Sequence, residues 1–205
     1  MQTPAAARPR TKPAETRQEE LMDAAQALFL SQGVEATTVS DIVAAADVAK
    51  GTFYTYFASR SEILQALAQR YTRRFIEDVD QAVQQHPAAD GVARLRAWIR
   101  ANIEIYVRTH AVHDVVFAHH HHHQRGNAER NAIQQQLLSI LETGMTAGLW
   151  QLPSPQVTAS LIYAGVHGAT DDLIAAPAQD ADAFIAAVVD DCLRMVGVAP
   201  AAMHR

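Results

Sequence analysis

The stretch that decides the fold is TVSDIVAAADVAKGTFYTYF, residues 38–57. It opens with Thr38 and, three residues later, Asp41, a pair typical of a capped helix start. Apolar residues then recur at the spacing of one helical face, at Val39, Ile42, Val43 and Ala46. This helix is short and ends near Asp47, and residues 49–57 form a second short helical segment after a brief turn. Two short helices joined by a tight turn predict a helix-turn-helix, a shape that fits the major groove of DNA.

The second short helix has one face suited to contacts with phosphates and bases. The side chains on that face are Lys50, Thr52, Tyr54, Thr55 and Tyr56. Gly51 lets another backbone approach closely at the helix start, where free N–H groups favour an anion. Phe53 and Phe57 point the other way and are expected to pack this helix onto the rest of its domain.

Helical signals continue on both sides of this stretch. Residues 1–14 contain three prolines and several basic residues and are predicted to be a disordered tail. The pattern Thr16-Arg17-Gln18-Glu19 predicts a capping box that starts the first helix, and Gly33 is predicted to end it as a left-handed cap. The pattern Ser59-Arg60-Ser61-Glu62 predicts a further capping box, which opens a long helix over residues 59–84.

Composition supports an all-α protein. About half of the residues are apolar (49%), many of them alanine, the best helix former. The single cysteine excludes an intrachain disulfide framework and suits a reducing compartment. The start of the chain lacks the apolar region of a signal peptide, and no run approaches the roughly 20 continuous apolar residues of a membrane helix. We therefore expect a cytoplasmic protein.

The net charge of −5 hides an asymmetry along the chain. Residues 1–74 hold nine Lys and Arg against eight Asp and Glu, whereas residues 75–205 hold eight against fourteen. Arg8, Arg10 and Lys12 lie together near the start. A basic arm before a near-neutral N-terminal domain is compatible with local contact to phosphates.

Residues 16–65 resemble the DNA-binding domain of the tetracycline-repressor-like (TetR) family of bacterial regulators. The match runs from Ala24-Ala25 through Phe29 and Gly33, and it is densest over Thr38-Val39 and Val48–Phe57. Two departures stand out: Asp47 replaces a usual glycine in the turn, and Arg60 replaces a usual lysine. Aspartate is among the non-glycine residues that best tolerate the backbone conformation this turn demands.

The resemblance implies an all-α homodimer with an N-terminal helix-turn-helix domain, residues 15–62, and a larger helical domain, residues 63–205, for ligand binding and dimerisation. It implies that Thr38, Tyr54 and Arg60 grip phosphates and that Lys50 and Gly51 sit at the groove. Thr52 and Thr55 would face base edges, and Tyr56 would lie against the DNA backbone. The implied function is a transcriptional regulator, most simply a repressor that a small molecule releases from operator DNA.

The C-terminal domain is predicted from amphipathic patterns alone. Residues 155–175 and 180–197 read as two closing helices that form the dimer interface. The expected interface residues are Leu161, Gly165, Gly168, Asp172, Phe184, Val188, Cys192 and Met195. An apolar pocket with a few polar groups would suit an aromatic or amphipathic effector. Its candidate lining residues are Trp98, Asn102, Tyr106, Phe117, Trp150, Tyr163 and His167.

Two other functions stay open at this point. The run His119–His123 offers imidazole ligands, so a metal-responsive regulator is conceivable. Because no cysteine or carboxylate cluster joins the run at a telling spacing, we expect a solvated helix end or loop, no metal site and no cofactor. A helical ligand carrier or enzyme is the third class, but enzyme signatures are absent and we expect no catalysis.

Overall fold

The computed structural model describes residues 14–117, 128–176 and 180–198. These residues form helices and no strand, which agrees with the all-α prediction. In chain order the helices are α1 (Ala14–Gln32), α2 (Val39–Ala45), α3 (Lys50–Tyr56), α4 (Arg60–Gln84), α5 (Gly91–Phe117), α6 (Ala128–Thr146), α7 (Pro155–Ala175) and α8 (Ala181–Met195). In the described part of the chain, no helix is both long enough and apolar enough to cross a membrane.

The chain divides into two compact units. The first runs to Gln69 and includes Asp114–Val116, and the second comprises Arg70–His113 with the chain from Phe117 onward. The division falls inside α4, whereas the sequence places the domain boundary at residues 62–63, near the start of that helix. The backbone of α4 is therefore part of both units.

The first unit has a core built from α1, α2, α3 and the start of α4. The side chains with almost no exposed surface include Leu21, Phe29, Ile42, Phe53, Ile63 and Leu67. Burial of this apolar surface is the main force that holds the two short helices in place, because isolated helices of seven residues are unstable in water.

The second unit has its own core, formed by the rest of α4 and by α5 to α8. Its fully buried members include Val79, Leu95, Trp98, Ile103, Leu137, Leu141, Ile162 and Leu193. Cys192 is also buried in this core. Burial, together with the neighbouring Asp191, raises the pKa of its thiol to about 11, so the thiol stays protonated and unreactive near neutral pH.

The predicted start of the first helix is wrong. Helix α1 begins at Ala14, so Thr16 lies inside the first turn and is exposed rather than acting as the cap. Ala14 and Glu15 are good helix formers, and Glu15 also complements the positive end of the helix. The predicted tail, residues 1–14, lies outside the described residues except for Ala14.

Two other helix ends follow the sequence signals. Gly33 has a φ of +86°, the left-handed conformation of a C-terminal cap, and its N–H donates to the carbonyl of Phe29 at 3.1 Å. At the start of α4, the Ser59 hydroxyl accepts from the N–H of Glu62 at 3.2 Å. The Glu62 carboxylate accepts from the N–H of Ala58 instead of that of Ser59, so the predicted box closes one residue earlier.

The end of α6 has a Schellman motif that is followed by a buried tryptophan. The N–H of Leu149 donates to the carbonyl of Gly144, the N–H of Gly148 donates to the carbonyl of Met145, and Gly148 has a φ of +73°. These two bonds and the left-handed residue make a Schellman motif. Trp150 follows directly, is buried, and donates its indole N–H to the carbonyl of Leu141 at 2.8 Å.

Candidate nucleic-acid interface and ligand-binding cluster

The start of α2 is held by a complete capping box, as predicted. The Thr38 hydroxyl accepts from the N–H of Asp41 at 3.2 Å, and the Asp41 carboxylate accepts from the N–H of Thr38 at 2.8 Å. Hydrogen bonds from the Thr38 backbone and hydroxyl lower the pKa of Asp41, because they stabilise the charged carboxylate. Thr38 is exposed, so this fixed helix end faces solvent.

The turn between α2 and α3 takes the conformation that the sequence requires of Asp47. Its φ is +51°, and it is the one non-glycine residue with a positive φ in the described chain. The N–H of Val48 donates to the carbonyl of Val43 at 3.0 Å, and that of Asp47 donates to the carbonyl of Ala44 at 3.3 Å. This is again a Schellman motif, so aspartate in place of glycine keeps the tight turn.

Helix α3 has one buried face and one exposed face. Phe53 and Phe57 are buried with their ring centroids 5.7 Å apart, as predicted. On the other face Lys50, Gly51 and Thr55 are exposed, and Tyr54 is 53% exposed. Half-exposed Thr52 and Tyr56 border that face. The predicted contact residues of α3 thus lie together on an accessible helix surface. The Tyr54 ring meets Phe53 edge-on, with 5.5 Å between centroids, and still keeps more than half of its surface exposed.

Few protein contacts hold these side chains. The Lys50 amino group lies 3.5 Å from the Ser40 hydroxyl, and the Thr55 hydroxyl donates to the Gly51 carbonyl at 3.2 Å. The first is an exposed contact at the limit of hydrogen bonding, so the Lys50 side chain is available to a phosphate or a base edge.

Arg60, which is predicted to grip a phosphate, contacts other residues of the first unit. Its Nη1 atom lies 2.8, 2.9 and 3.0 Å from the carbonyl oxygens of Val34, Glu35 and Thr37. Its Nη2 atom lies 2.9 Å from the Glu35 carboxylate. The guanidinium is therefore occupied by the loop between α1 and α2. Sequence reasoning missed this role because the acceptors stand 23 to 26 residues away.

In the second unit, four of the predicted ligand-binding residues belong to a group of side-chain rings that contact one another, which we call the ring cluster. Its members are Tyr71, Phe75, Tyr106, His113, Phe117, Tyr163 and His167. Tyr106 lies 4.9 Å from His113 and 5.4 Å from His167 between ring centroids, and Tyr163 stacks on His167 at 6.0 Å. His113 also lies 4.9 Å from Phe117.

The ring cluster combines apolar faces with hydrogen-bonding tips. The Tyr106 hydroxyl lies 3.2 Å from Nδ1 of His113, and the Tyr71 hydroxyl lies 3.0 Å from the Thr109 hydroxyl. His113 is buried, whereas Tyr71, Tyr106, Tyr163 and His167 are half-buried. Tyr71 and His113 are not among the predicted ligand-binding residues, although Tyr71 lies on the apolar face of α4 and His113 shares a face of α5 with Tyr106.

Trp98, Asn102 and Trp150 do not join the ring contacts of this cluster. Trp98 is fully buried in the core, and the Asn102 amide donates to the Trp98 carbonyl at 2.8 Å. Trp150 follows the end of α6, as described above. Trp98 precedes Tyr106, a member of the ring cluster, by eight residues on α5, or about 12 Å along the helix. Both tryptophans are packed in the core, and the ligand contact predicted for them stays a prediction.

The predicted dimer residues of α7 share one exposed face. Leu161 is 57% exposed, and Gly165, Gly168 and Asp172 are also exposed. On α8, Met195 is exposed while Phe184 and Val188 are half-buried. Cys192 departs from this set, because it is buried within its own chain and offers little surface to a partner.

No candidate metal site occurs in the described ranges. Among those residues, no group of three or more His, Cys, Asp or Glu side chains could hold a metal ion. His167 Nε2 lies 4.0 Å from the Asp171 carboxylate, which makes a pair and not a cluster. The run His119–His123 lies outside the described residues, as do Arg8, Arg10 and Lys12. The metal-responsive alternative has no support in these observations.

Comparison with known proteins agrees with this geometry. Residues 21–67 match the family model of "Bacterial regulatory proteins, tetR family". The transcriptional repressor KstR2 of Mycobacterium tuberculosis (strain H37Rv) is 26% identical over 168 residues, which span 76% of this chain and 78% of that protein.

Two solved structures extend the likeness to the whole fold. A complex of SmeT with triclosan has a TM-score of 0.68 at 20% identity, covering 93% of this chain and 100% of the other. The regulator FadR of Bacillus subtilis, solved with stearoyl-CoA, has a TM-score of 0.63 at 20% identity, covering 87% and 97%. The family consists of DNA-binding regulators, which are not enzymes.

Proposed function

We propose that this chain, a member of the TetR family of transcriptional regulators, binds operator DNA as a homodimer through α3 and is released by a small molecule that binds its second unit. The observation that carries the proposal is the two-faced α3. One face is fixed in the core by Phe53 and Phe57, and the other presents Lys50, Tyr54 and Thr55 to solvent. An exposed face of this composition on a second short helix suits the major groove.

The roles on DNA follow from chemistry and exposure. The Lys50 amino group would contact a phosphate or a guanine edge, and the Tyr54 hydroxyl would donate to a phosphate. Thr52 and Thr55 would face base edges or thymine methyl groups, with Tyr56 against the backbone. The exposed Thr38 hydroxyl at the start of α2 would contact a phosphate.

The exposed face of α7 supports the proposed homodimer. Leu161 and Val157 are large apolar side chains with more than half of their surface exposed. At Gly165 and Gly168 a Cβ atom would meet nothing within 4 Å, so these positions leave room for a close approach by another helix. A contiguous apolar face of this kind is typical of a protein–protein interface.

The ring cluster supports an aromatic or amphipathic effector. Offset and edge-on ring contacts with Tyr106, Tyr163 and His167 would hold a flat apolar group, and the tyrosine and histidine tips would fix its polar end. The ligands of the two similar structures, triclosan and stearoyl-CoA, are of this broad kind. To meet successive major grooves, the two α3 helices of a dimer must be about 34–36 Å apart. A ligand that binds more tightly to a state with another spacing would release the DNA by population shift.

The test is selection of DNA from a pool of random duplexes by the purified protein. We expect enrichment of an inverted repeat whose half-sites match two copies of α3, and a gel shift by one dimer on that repeat. Absence of any enriched sequence, or binding by a single subunit to a site without symmetry, would contradict the proposal. Equal binding to every duplex, seen only at low salt, would likewise count against the proposal, because such binding is not sequence-specific.

A further inference from the structure

Arg60 joins α4 to the start of the helix-turn-helix. It is the first residue of α4, and its guanidinium faces four acceptors of the loop between α1 and α2, residues 33–38. Three of these acceptors are backbone carbonyls, which stay in place whatever the side chains of the loop are. The side chain of Arg60 is only 32% exposed.

One of these carbonyls belongs to the peptide group that begins α2. The carbonyl of Thr37 accepts from Arg60 at 3.0 Å, and the N–H of the same peptide group, that of Thr38, donates to the Asp41 carboxylate at 2.8 Å. A planar peptide group that is held at both its oxygen and its nitrogen has a fixed orientation. Thr37 is itself fully buried, with its hydroxyl donating to the Gly33 carbonyl at 2.8 Å.

We propose that Arg60 is a positioning residue for DNA recognition: it clamps the Thr37–Thr38 peptide group and thereby fixes α2, and α3 behind it, relative to the first turn of α4. This inference rests on the proposed DNA-binding function. The path from Arg60 to α3 runs through the capped start of α2 and the Schellman turn at Asp47. A small shift of the first turn of α4 is thereby passed to the helix that reads DNA.

The geometry requires arginine and not only a positive charge. A guanidinium presents five N–H donors in a rigid fork, whereas an ammonium presents three donors on a flexible stem. The three carbonyls converge on Nη1, whereas the Glu35 carboxylate meets Nη2. The ammonium of lysine lies one bond nearer to Cα than Nη1 does, so it falls short of the carbonyls, and it has no second nitrogen for the carboxylate, although its charge stays available to a phosphate. The substitution Arg60→Lys therefore distinguishes a clamping role of Arg60 from a simple contact with a phosphate.

The test compares Arg60→Lys and Arg60→Gln on the selected operator over a range of salt concentrations. If Arg60 is a clamp, both variants weaken operator binding about tenfold, and the slope of affinity against salt stays the same because no phosphate contact is lost. If Arg60→Lys binds like the unaltered protein while Arg60→Gln lowers the slope by about 0.9 unit, Arg60 is a phosphate contact and the proposal is wrong.

Glu35→Gln is the matched control, because it removes the exposed ion pair and leaves the three carbonyl contacts. We expect a smaller loss of operator affinity than in Arg60→Lys, since exposed ion pairs contribute little. A loss as large as that of Arg60→Lys would overturn the clamp. Hydrogen exchange at residues 37–42 should accelerate in Arg60→Lys and stay unchanged in α6 to α8; unchanged exchange at residues 37–42 would also overturn it.

A measurement on the unaltered protein covers the case in which the variants fail to fold. A clamped guanidinium rotates slowly, so the Nη resonances of Arg60 should be separate in the NMR spectrum, while those of exposed Arg73 should be averaged. Averaged Arg60 resonances would refute the clamp. If the unaltered protein binds no DNA, the proposed function fails, whereas the resonances and the exchange data still decide whether the clamp exists.

Discussion

Gly144→Ala is expected to destabilise the second unit strongly. A Cβ atom at position 144 would lie 2.0 Å from Cζ2 and 2.3 Å from Cε2 of Trp150, distances that no relaxation of a rigid ring can absorb in place. A Cβ at Gly91, on the other side, would lie 3.4 Å from Cη2 of the same ring. The indole thus lies between two glycine positions, and an added methyl group must displace it.

The magnitude follows from two opposing terms. Displacing a buried tryptophan costs about 3–5 kcal/mol, as large-to-small substitutions in cores do. Alanine is the better helix former and returns about 1 kcal/mol relative to glycine. We therefore expect the free energy of unfolding to fall by about 2–4 kcal/mol. Loss of the indole bond to the Leu141 carbonyl is part of this cost.

The assay is urea unfolding followed by far-ultraviolet circular dichroism at one fixed protein concentration, because dimerisation makes stability depend on concentration. Thr143→Ala is the control: it changes the adjacent, exposed residue of α6 and places no atom at the ring, so its stability should stay within about 0.5 kcal/mol of the unaltered protein. A Gly144→Ala protein as stable as this control would refute the reasoning.

Three further predictions concern function. Lys50→Ala should lower the slope of operator affinity against salt by about 0.9 unit, and Tyr54→Phe should weaken operator binding. The thermal melting temperature should change little in both variants, because both side chains are exposed. Unchanged operator affinity in both would remove α3 from the DNA interface. Leu161→Glu should convert dimers into folded monomers in analytical sedimentation, since a carboxylate would be buried between copies; a monomeric unaltered protein would contradict the interface. Replacing His119–His123 with glutamine should leave operator affinity unchanged with and without added zinc, and a zinc-dependent shift of about tenfold that disappears in this variant would show that the metal-responsive function had been dismissed wrongly.

Local signals were sufficient to predict most of the helix-turn-helix. The capping pair Thr38 and Asp41, the left-handed Asp47 and the phenylalanine face of α3 all depend on residues within a few positions of each other. The predicted start at Thr16 was wrong because a capping pattern competes with the helix preference of Ala14 and Glu15, which extended the helix instead.

The remaining features depend on contacts between distant segments. The role of Arg60 is set by the backbone carbonyls of another loop, and backbone groups have no side-chain signature. Tyr71 and His113 come together only when α4 and α5 pack. Trp150 was assigned to a pocket from its amphipathic position alone, and the buried Gly144 six residues earlier was the signal that its ring packs against α6.

The placement of the two tryptophans also makes the protein its own optical probe. The sequence contains only Trp98 and Trp150, both belong to the second unit, and they are 0% and 4% exposed. Neither indole can be touched by a nucleobase or by a dissolved quencher such as iodide. Added duplex absorbs ultraviolet light and lowers emission intensity by itself, whereas a shift in emission wavelength reports a changed environment of an indole. Such a shift on addition of operator duplex would therefore be an unlabelled readout of a change within the second unit.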